Sequence, residues 1–572
     1  MMYRFIVLCL ALYFSFIEAE NVTDNRPNIL VILVDDMGIG DLSCYGNSLI
    51  KTPNIDSLAK EGIKFNRMYS QPVCTPSRAA LLTGRLPVRN GFIQGSRELP
   101  VIVSPSQEAG FQKDEFTMQR FLKQHGYTTS LIGKWHLGMG GDGSYLPTNR
   151  GFDSFIGVPM VHIEPCSSYV KMNVNIFFGI AVNKYKWVIS AFYLFILSLR
   201  VFDVIGRRGL FGVMILTALV VGIVQLFMHA SAANPAACLY MRDEQILEQP
   251  YKDVNMTLRM TAEVLKTIEN HSASEEPMFL HINYLTPHYP ALVSHKFNGS
   301  SGLGPYYDSI LELDWSIGLI LKSLEKHHMK NNFIYFASDN GPAPLTGFSR
   351  EILEPEHLGS TVYKDEKGKA HRLRGWKGSN YEGGIRMPGL IQWKGTLTNP
   401  GRIVNSITSQ MDVFPTLVEI LNADGKTHPE MDGESLLPII KSTDIKQTTD
   451  DRIVFHYCSV NILGAVSYDR YKLHFANSTG NYTCSGNVFK QPVLYDVLSD
   501  PSESIELPLA DNRQLLLDIY KLIERHEKTL PPIGERVSQL DTLLNPLKFP
   551  CSNFPYCTME SKVIDDFSNL RL

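Results

Sequence analysis

Asn28-Ile-Leu-Val-Ile-Leu-Val-Asp-Asp36 is the stretch that sets the fold. From Asn28 to Val34 the run is continuously apolar, without the alternation of a half-buried strand. That is the pattern of a strand covered on both faces, as in a parallel sheet flanked by helices. Asp35 and Asp36 follow directly. One carboxylate at the end of a core strand reads as a helix cap in a solvated loop. Two are costly unless they are paired or bind a metal.

The arrangement recurs along the chain. Thr129 to Ile132 leads into Lys134 and His136, Met278 to Leu285 into Thr286-Pro287-His288, and Phe333 to Ala337 into Ser338-Asp339-Asn340-Gly341. In an open α/β sheet, ligands bind beyond the carboxyl ends of the strands, so the four deliveries converge on one crevice. Each alone is an ordinary polar loop; their shared position behind apolar strands is what links them. Asp35, Asp36, Asp339 and Asn340 offer only oxygen donors. That chemistry selects a hard cation, Ca2+ with Mg2+ as the alternative, and leaves no place for histidine in the metal shell.

Cys74-Thr-Pro-Ser-Arg78, followed by Ala-Ala-Leu-Leu-Thr-Gly84, predicts a helix that begins at Cys74. Pro76 has φ pre-set for a first turn, and the residues after Arg78 favour helix. The helix N-terminus attracts an oxyanion, and Arg78 adds a forked cation one turn on. Lys377 opens a glycine-rich loop, Lys377-Gly-Ser-Asn-Tyr-Glu-Gly-Gly-Ile-Arg386.

The Cys74–Gly84 run, together with Gly126-Tyr127-Thr128 and Gly133-Lys134-Trp135-His136-Leu137-Gly138, resembles the signature of the sulfatase family. The likeness extends from about Asn28 to Leu494-Tyr495-Asp496 and Asp500-Pro501. It implies an alkaline-phosphatase-like α/β fold: a large mixed sheet sandwiched by helices, plus a small C-terminal antiparallel-sheet subdomain. It also implies that Cys74 is oxidised to formylglycine by the formylglycine-generating enzyme, and that the modified side chain joins Asp35, Asp36, Asp339 and Asn340 around one metal ion. Within the family pattern, Arg78 positions the aldehyde hydrate, Lys134 and Lys377 neutralise sulfate oxygens, and His136 orients the hydrate or takes its proton. His288 or Lys377 protonates the leaving alkoxide. The substrate class so implied is a small-molecule sulfate ester, steryl or aryl. Two other readings are a phosphodiesterase or phosphonate hydrolase of the same superfamily and an inactive binding protein. The complete Cys-x-Pro-x-Arg run and the full set of site residues speak against both.

With 572 residues the chain is long enough for two domains, and its net charge of −4 with no basic tract excludes nucleic acid as the partner. Arg4, the apolar run from Phe5 to Phe16 and the small residue Ala19 read as a secretory signal. Six glycosylation sequons, at Asn21, Asn255, Asn270, Asn298, Asn477 and Asn481, fit a lumenal chain. Nine cysteines fit an oxidising compartment. The pairs expected are Cys166–Cys238, Cys458–Cys484 and Cys551–Cys557, with Cys44 as a buried free thiol.

Leu210 to Met228 is nineteen residues without a charge, enough to cross a bilayer as a helix. Trp187 to Leu199 is a shorter apolar partner that reaches spanning length only when extended through Arg200 and Asp203 to Ile205, and Arg207-Arg208-Gly209 makes the turn. The expectation is a transmembrane hairpin with its basic tip in the cytosol and the catalytic domain in the lumen of the endoplasmic reticulum or another secretory membrane. Such an insert resembles the steryl-sulfatase branch of the family. The domain plan is a signal at 1–19, a catalytic domain at 26–173 and 234–455, the hairpin at 174–233 and the C-terminal subdomain at 456–572. Asp511 and Gln514 are placed as a capping box for the helix that carries Leu515, Ile519, Leu522 and Ile523.

Overall fold

The computed structural model describes residues 26–95, 101–160, 238–343, 361–421, 431–442, 452–478 and 488–542, except 103 and 366, with scattered positions in 166–219 and after 548. The strands of the main sheet are β1 (Asn28–Asp35), β2 (Ile63–Tyr69), β3 (Thr128–Lys134), β4 (Ser154–Val158), β5 (Tyr240–Arg242), β6 (Gln245–Glu248), β7 (Met278–Pro287) and β8 (Asn332–Ser338). After a separate hairpin of β9 (Val362–Lys364) and β10 (Ala370–Arg372), the sheet is completed by β11 (Arg386–Trp393), β12 (Arg402–Val404) and β13 (Thr408–Ser409). The strand order is β12-β2-β11-β8-β1-β7-β3-β4-β5-β6, with β13 beside β2. At its centre β8, β1, β7, β3 and β4 run parallel, whereas β11 is antiparallel to β8 and β5 to β4.

β1 shows why the run is apolar throughout. Ile29, Val31 and Leu33 enter one core, and Leu30, Ile32 and Val34 enter the other. Successive side chains of a strand point to opposite faces, so a strand covered on both sides has no place for a polar residue. The first face is covered by α2 (Cys74–Thr83), α3 (Met118–Gln124) and α6 (Val413–Ile420). On the second lie α1 (Pro53–Lys60), α4 (Met256–His271) and α5 (Pro305–Lys326).

The C-terminal unit is a four-stranded antiparallel sheet, β14 (Ile453–Ser459), β15 (Ile462–Tyr468), β16 (Tyr471–Ala476) and β17 (Val488–Asp496), covered by α7 (Arg513–Glu527). The expected capping box at its start does not form. Asp511 lies inside a 3-10 turn, Leu509–Asn512, and the Gln514 amide bonds forward to Asp518.

Cys166 and Cys238 form the expected disulfide. Cys458 is disulfide-bonded, while Cys484 and the Cys551–Cys557 pair fall outside the described residues. Cys44 is a free thiol but only half-buried, a correction to the expected buried site, because it lies at the edge of α1 beside Lys64 and Asp56. Among the described residues no helix is long and apolar enough to cross a membrane. The secretory signal and the run from Leu210 to Met228 lie outside those residues, save for isolated positions.

Candidate active site

Three parallel strands and one helix end meet at a point. β1 ends on Asp35 and Asp36, β3 on Lys134, and β8 leads into Asp339 and Asn340; α2 starts at Cys74. All of these side chains are buried. The first turn of α2 is fixed by Ser77, whose N–H donates to Val73 O at 3.1 Å and whose hydroxyl bonds the Asp339 carbonyl.

Cys74 Sγ donates to Asp35 Oδ1 at 3.5 Å, and Lys134 Nζ lies 2.5 Å from Asp35 Oδ2. Arg78 places Nε and Nη2 at 3.0 and 2.7 Å from Asp339 Oδ2, with Nη2 3.8 Å from Asp35. Lys377 grips both oxygens of Asp36, at 2.6 and 2.9 Å. Asn340 Nδ2 donates to Asp36 Oδ1 at 2.7 Å, and His288 Nε2 is 3.7 Å from Asp36 Oδ2. His136 bonds the Ile102 carbonyl through Nε2 at 2.9 Å, and its buried Nδ1 has no partner.

Two of these residues are held in the left-handed backbone region, Asp36 at φ 63° and His136 at φ 56°. Such a conformation costs about 1–3 kcal/mol per residue and persists where the surroundings over-determine it.

Electrostatics divides the carboxylates. Burial would raise Asp35, but the charges of Lys134, Arg78 and Lys377 outweigh it and hold the group well below the usual carboxylate range. Burial, with Asp35 alongside, pushes Asp36 up despite Lys377. Asp339 rises to about 6 through burial and the charge of Asp35, against the pull of Arg78. Burial raises the Cys74 thiol, so it stays protonated. Burial and the neighbouring lysines drive His136 and His288 well down, leaving both imidazoles neutral.

Donor atoms of Asp35, Asp36, Cys74 and His288 lie within 4.8 Å of one another, a grouping able to hold a metal ion. His288 lies in that group, beside the oxygen donors expected from the sequence. β7 ends at Pro287, and the next residue, His288, approaches Asp36. Asp339 belongs to the same crevice, but its carboxylate is taken up by Arg78 and by the Asp36 N–H at 3.2 Å. Asn340 gives its amide nitrogen to Asp36 and Gly341, and its buried Oδ1 is left without a hydrogen-bond partner. Buried carboxylates and an orphaned amide oxygen together fit a hard divalent cation.

The sequence carried no mark of several supporting groups. Thr75 Oγ1 donates to the His136 carbonyl at 3.1 Å, Asn283 Nδ2 to the Lys134 carbonyl at 2.9 Å, and Gln410 Nε2 to Ser77 Oγ at 2.6 Å. Polar residues inside a strand or at the start of a helix could have been picked out only for Asn283, which interrupts the apolar run of β7.

The family profile described as Sulfatase matches residues 27–423, and the one described as the C-terminal region of aryl-sulfatase matches 449–559. The chain belongs to the sulfatase family. It is a sulfuric ester hydrolase. Human (Homo sapiens) steryl-sulfatase is 33% identical over 572 residues, covering 94% of each chain. Human arylsulfatase H is 32% identical over 566 residues, covering 93% of this sulfatase and 97% of the relative. The crystal structure of PsFucS1 sulfatase from Pseudoalteromonas sp. superposes with a TM-score of 0.66 at 24% identity, over 90% of this chain and 93% of the other, which establishes a shared fold.

Proposed function

We propose that this sulfatase hydrolyses aryl or steryl sulfate esters through a formylglycine made from Cys74. The observation that carries the reading is the place of Cys74 at the start of α2, with its Sγ 3.5 Å from Asp35 and Lys134 on the same carboxylate. The Cys74 sulfur of this structure marks where the oxygens of the hydrated aldehyde would stand in the mature enzyme. That group supplies a hydroxyl to attack sulfur and a second hydroxyl to drive release of sulfate.

The chain's own residues do the rest. Asp35, Asp36 and Asn340, with Asp339 and His288 beside them, would hold a Ca2+ or Mg2+ ion, which lowers the pKa of a bound hydroxyl when present. Arg78 keeps Asp339 oriented and leans on Asp35. Lys134 and Lys377 set two ammonium groups beside the carboxylates, where they can stabilise charge on sulfate oxygens in the transition state. His136 Nε2–H is spent on Ile102, so the neutral ring keeps a buried, unprotonated Nδ1 as the acceptor for the proton of the Cys74-derived group. Lys377 or His288, both of which approach Asp36, is the proton donor for the departing alkoxide.

The test is turnover of a small aryl sulfate, a steryl sulfate and the matching phosphate monoesters by protein from a secretory host. Preference for either sulfate is expected; preference for phosphate would overturn the reading.

We also infer a membrane hairpin between Cys166 and Cys238, which brings the chain back to one place. Phe195, Ile215 and Leu219 are helical positions 58%, 47% and 57% exposed, apolar surface that suits lipid. The anchor implies an endoplasmic-reticulum or other secretory membrane and a lumenal catalytic domain.

A further inference from the structure

The loop that carries Lys377 touches the catalytic core on one side and the C-terminal sheet on the other. On the core side, Lys377 N–H donates to Pro342 O at 3.0 Å, Gly378 N–H to Pro72 O at 2.7 Å, and Gly341 N–H to Gly384 O at 2.9 Å. These contacts tie the loop to the residues beside Asn340 and Cys74. A Cβ on Gly341 would lie 2.0 Å from the Gly383 carbonyl, so the two backbones leave no slack.

On the other side the loop ends in Glu382, which is fully buried. Its Oε1 accepts from Lys472 Nζ at 2.9 Å and from Tyr69 OH at 3.0 Å, and Arg386 Nη1 lies 3.4 Å from Oε2. Lys472 is on β16 of the C-terminal sheet and is also fully buried. Glu503, beyond β17, accepts the Glu382 N–H at 2.7 Å and lies 3.5 Å from Lys472 Nζ. Higher in the loop, Asn380 N–H donates to Ser478 Oγ at 2.7 Å. Burial opposes ionisation of Glu382, yet Lys472 and Arg386 hold it down at about 2.

A buried ion pair contributes little cohesion that apolar packing could not supply, because desolvation offsets its Coulomb gain. What it adds is a fixed register. We propose that Lys472 is a positioning residue for the sulfatase reaction: through Glu382 it fixes the loop that holds Lys377 on Asp36. The C-terminal sheet thereby completes the site without touching substrate. This rests on the catalytic role given to Lys377 above.

Four variants test it, each assayed on a small aryl sulfate well below its melting temperature: Lys377→Ala, Lys472→Met, Lys472→Met/Lys377→Ala and Lys472→Arg. Misplacement by about 1 Å can cost roughly 100-fold, so Lys472→Met should lower kcat by about 10–100-fold with KM little changed. The double variant should be no slower than Lys377→Ala, since both changes remove one function. Lys472→Arg should recover most of the loss. If Lys472→Met does not fold, Lys472→Met/Glu382→Gln removes both buried charges together and should show the same kcat loss. Normal kcat in a folded Lys472→Met or Lys472→Met/Glu382→Gln protein, or losses that multiply with Lys377→Ala, would overturn the proposal. An unaffected Lys377→Ala enzyme would instead remove the catalytic role assigned to Lys377.

Discussion

Arg78 and Asp339 form a buried, two-pronged pair, with Nε and Nη2 at 3.0 and 2.7 Å from a single carboxylate oxygen. The guanidinium thus serves the crevice indirectly: it sets Asp339 between the ends of β8 and β1, where Asp339 accepts the Asp36 N–H.

Removing one partner of such a pair leaves a buried charge unmatched. Arg78→Leu should destabilise the protein by about 3–5 kcal/mol and abolish turnover. Arg78→Lys should fold better than Arg78→Leu yet remain poorly active, because an ammonium cannot present two donors in a plane. Denaturant melts and single-substrate assays check both. A fully active Arg78→Lys enzyme would show that the fork is dispensable.

The oxygen-rich cluster should bind about one divalent ion per chain. Chelation should remove activity, and Ca2+ or Mg2+ should restore it and raise the melting temperature. At free ion about 100-fold above Kd the gain is about 2.7 kcal/mol. Asp35→Asn and Asn340→Ala proteins should lose that metal-dependent stabilisation. Elemental analysis with calorimetry would read the outcome, and unchanged metal content in both variants would contradict the ligand assignment.

Glu312 offers a pH test remote from catalysis. Burial raises its carboxyl to about 7, against a backbone hydrogen bond from Ser294. The folded pKa lies above the unfolded one, so the group's stabilising contribution is complete below about pH 4.5. It is lost as pH rises through about 7. Glu312→Gln should abolish that decline, and the variant should gain up to about 3 kcal/mol over the parent between pH 4 and pH 8. Parallel pH–stability curves for the two proteins would refute the assignment.

Much of this was legible in the sequence, and the limits have physical causes. β1 could be read because a strand covered on both faces must be apolar at every position, as its division between two cores shows. Asp35, Asp36, Asp339 and Asn340 could be read because they follow such strands directly. Lys377 had no comparable mark beyond the family pattern: its place is set by a loop tied at a distance to Pro342, Pro72 and Lys472. The approach of His288 to Asp36 depends on the turn after β7, which local propensity does not specify. At α7, Asp511 and Gln514 have capping-box spacing, but the preceding 3-10 turn takes Asp511 out of the cap position.

The membrane assignment has its own test. Full-length protein should stay with membranes through carbonate extraction, and replacing 187–228 with a short Gly-Ser loop should release an active enzyme. Release of the intact chain by carbonate would remove the anchor. Loss of steryl but not aryl sulfate hydrolysis in the shortened protein would give the hairpin a part in delivering substrate.

The central claim is that Cys74 acts as formylglycine. Mass spectrometry of the peptide spanning Cys74 to Arg78, from active enzyme made in a secretory host, tests it most directly. The aldehyde or its hydrate is predicted, in proportion to specific activity across preparations, and Cys74→Ser protein should fail to turn over. Fully active enzyme carrying only the unmodified thiol would contradict the account.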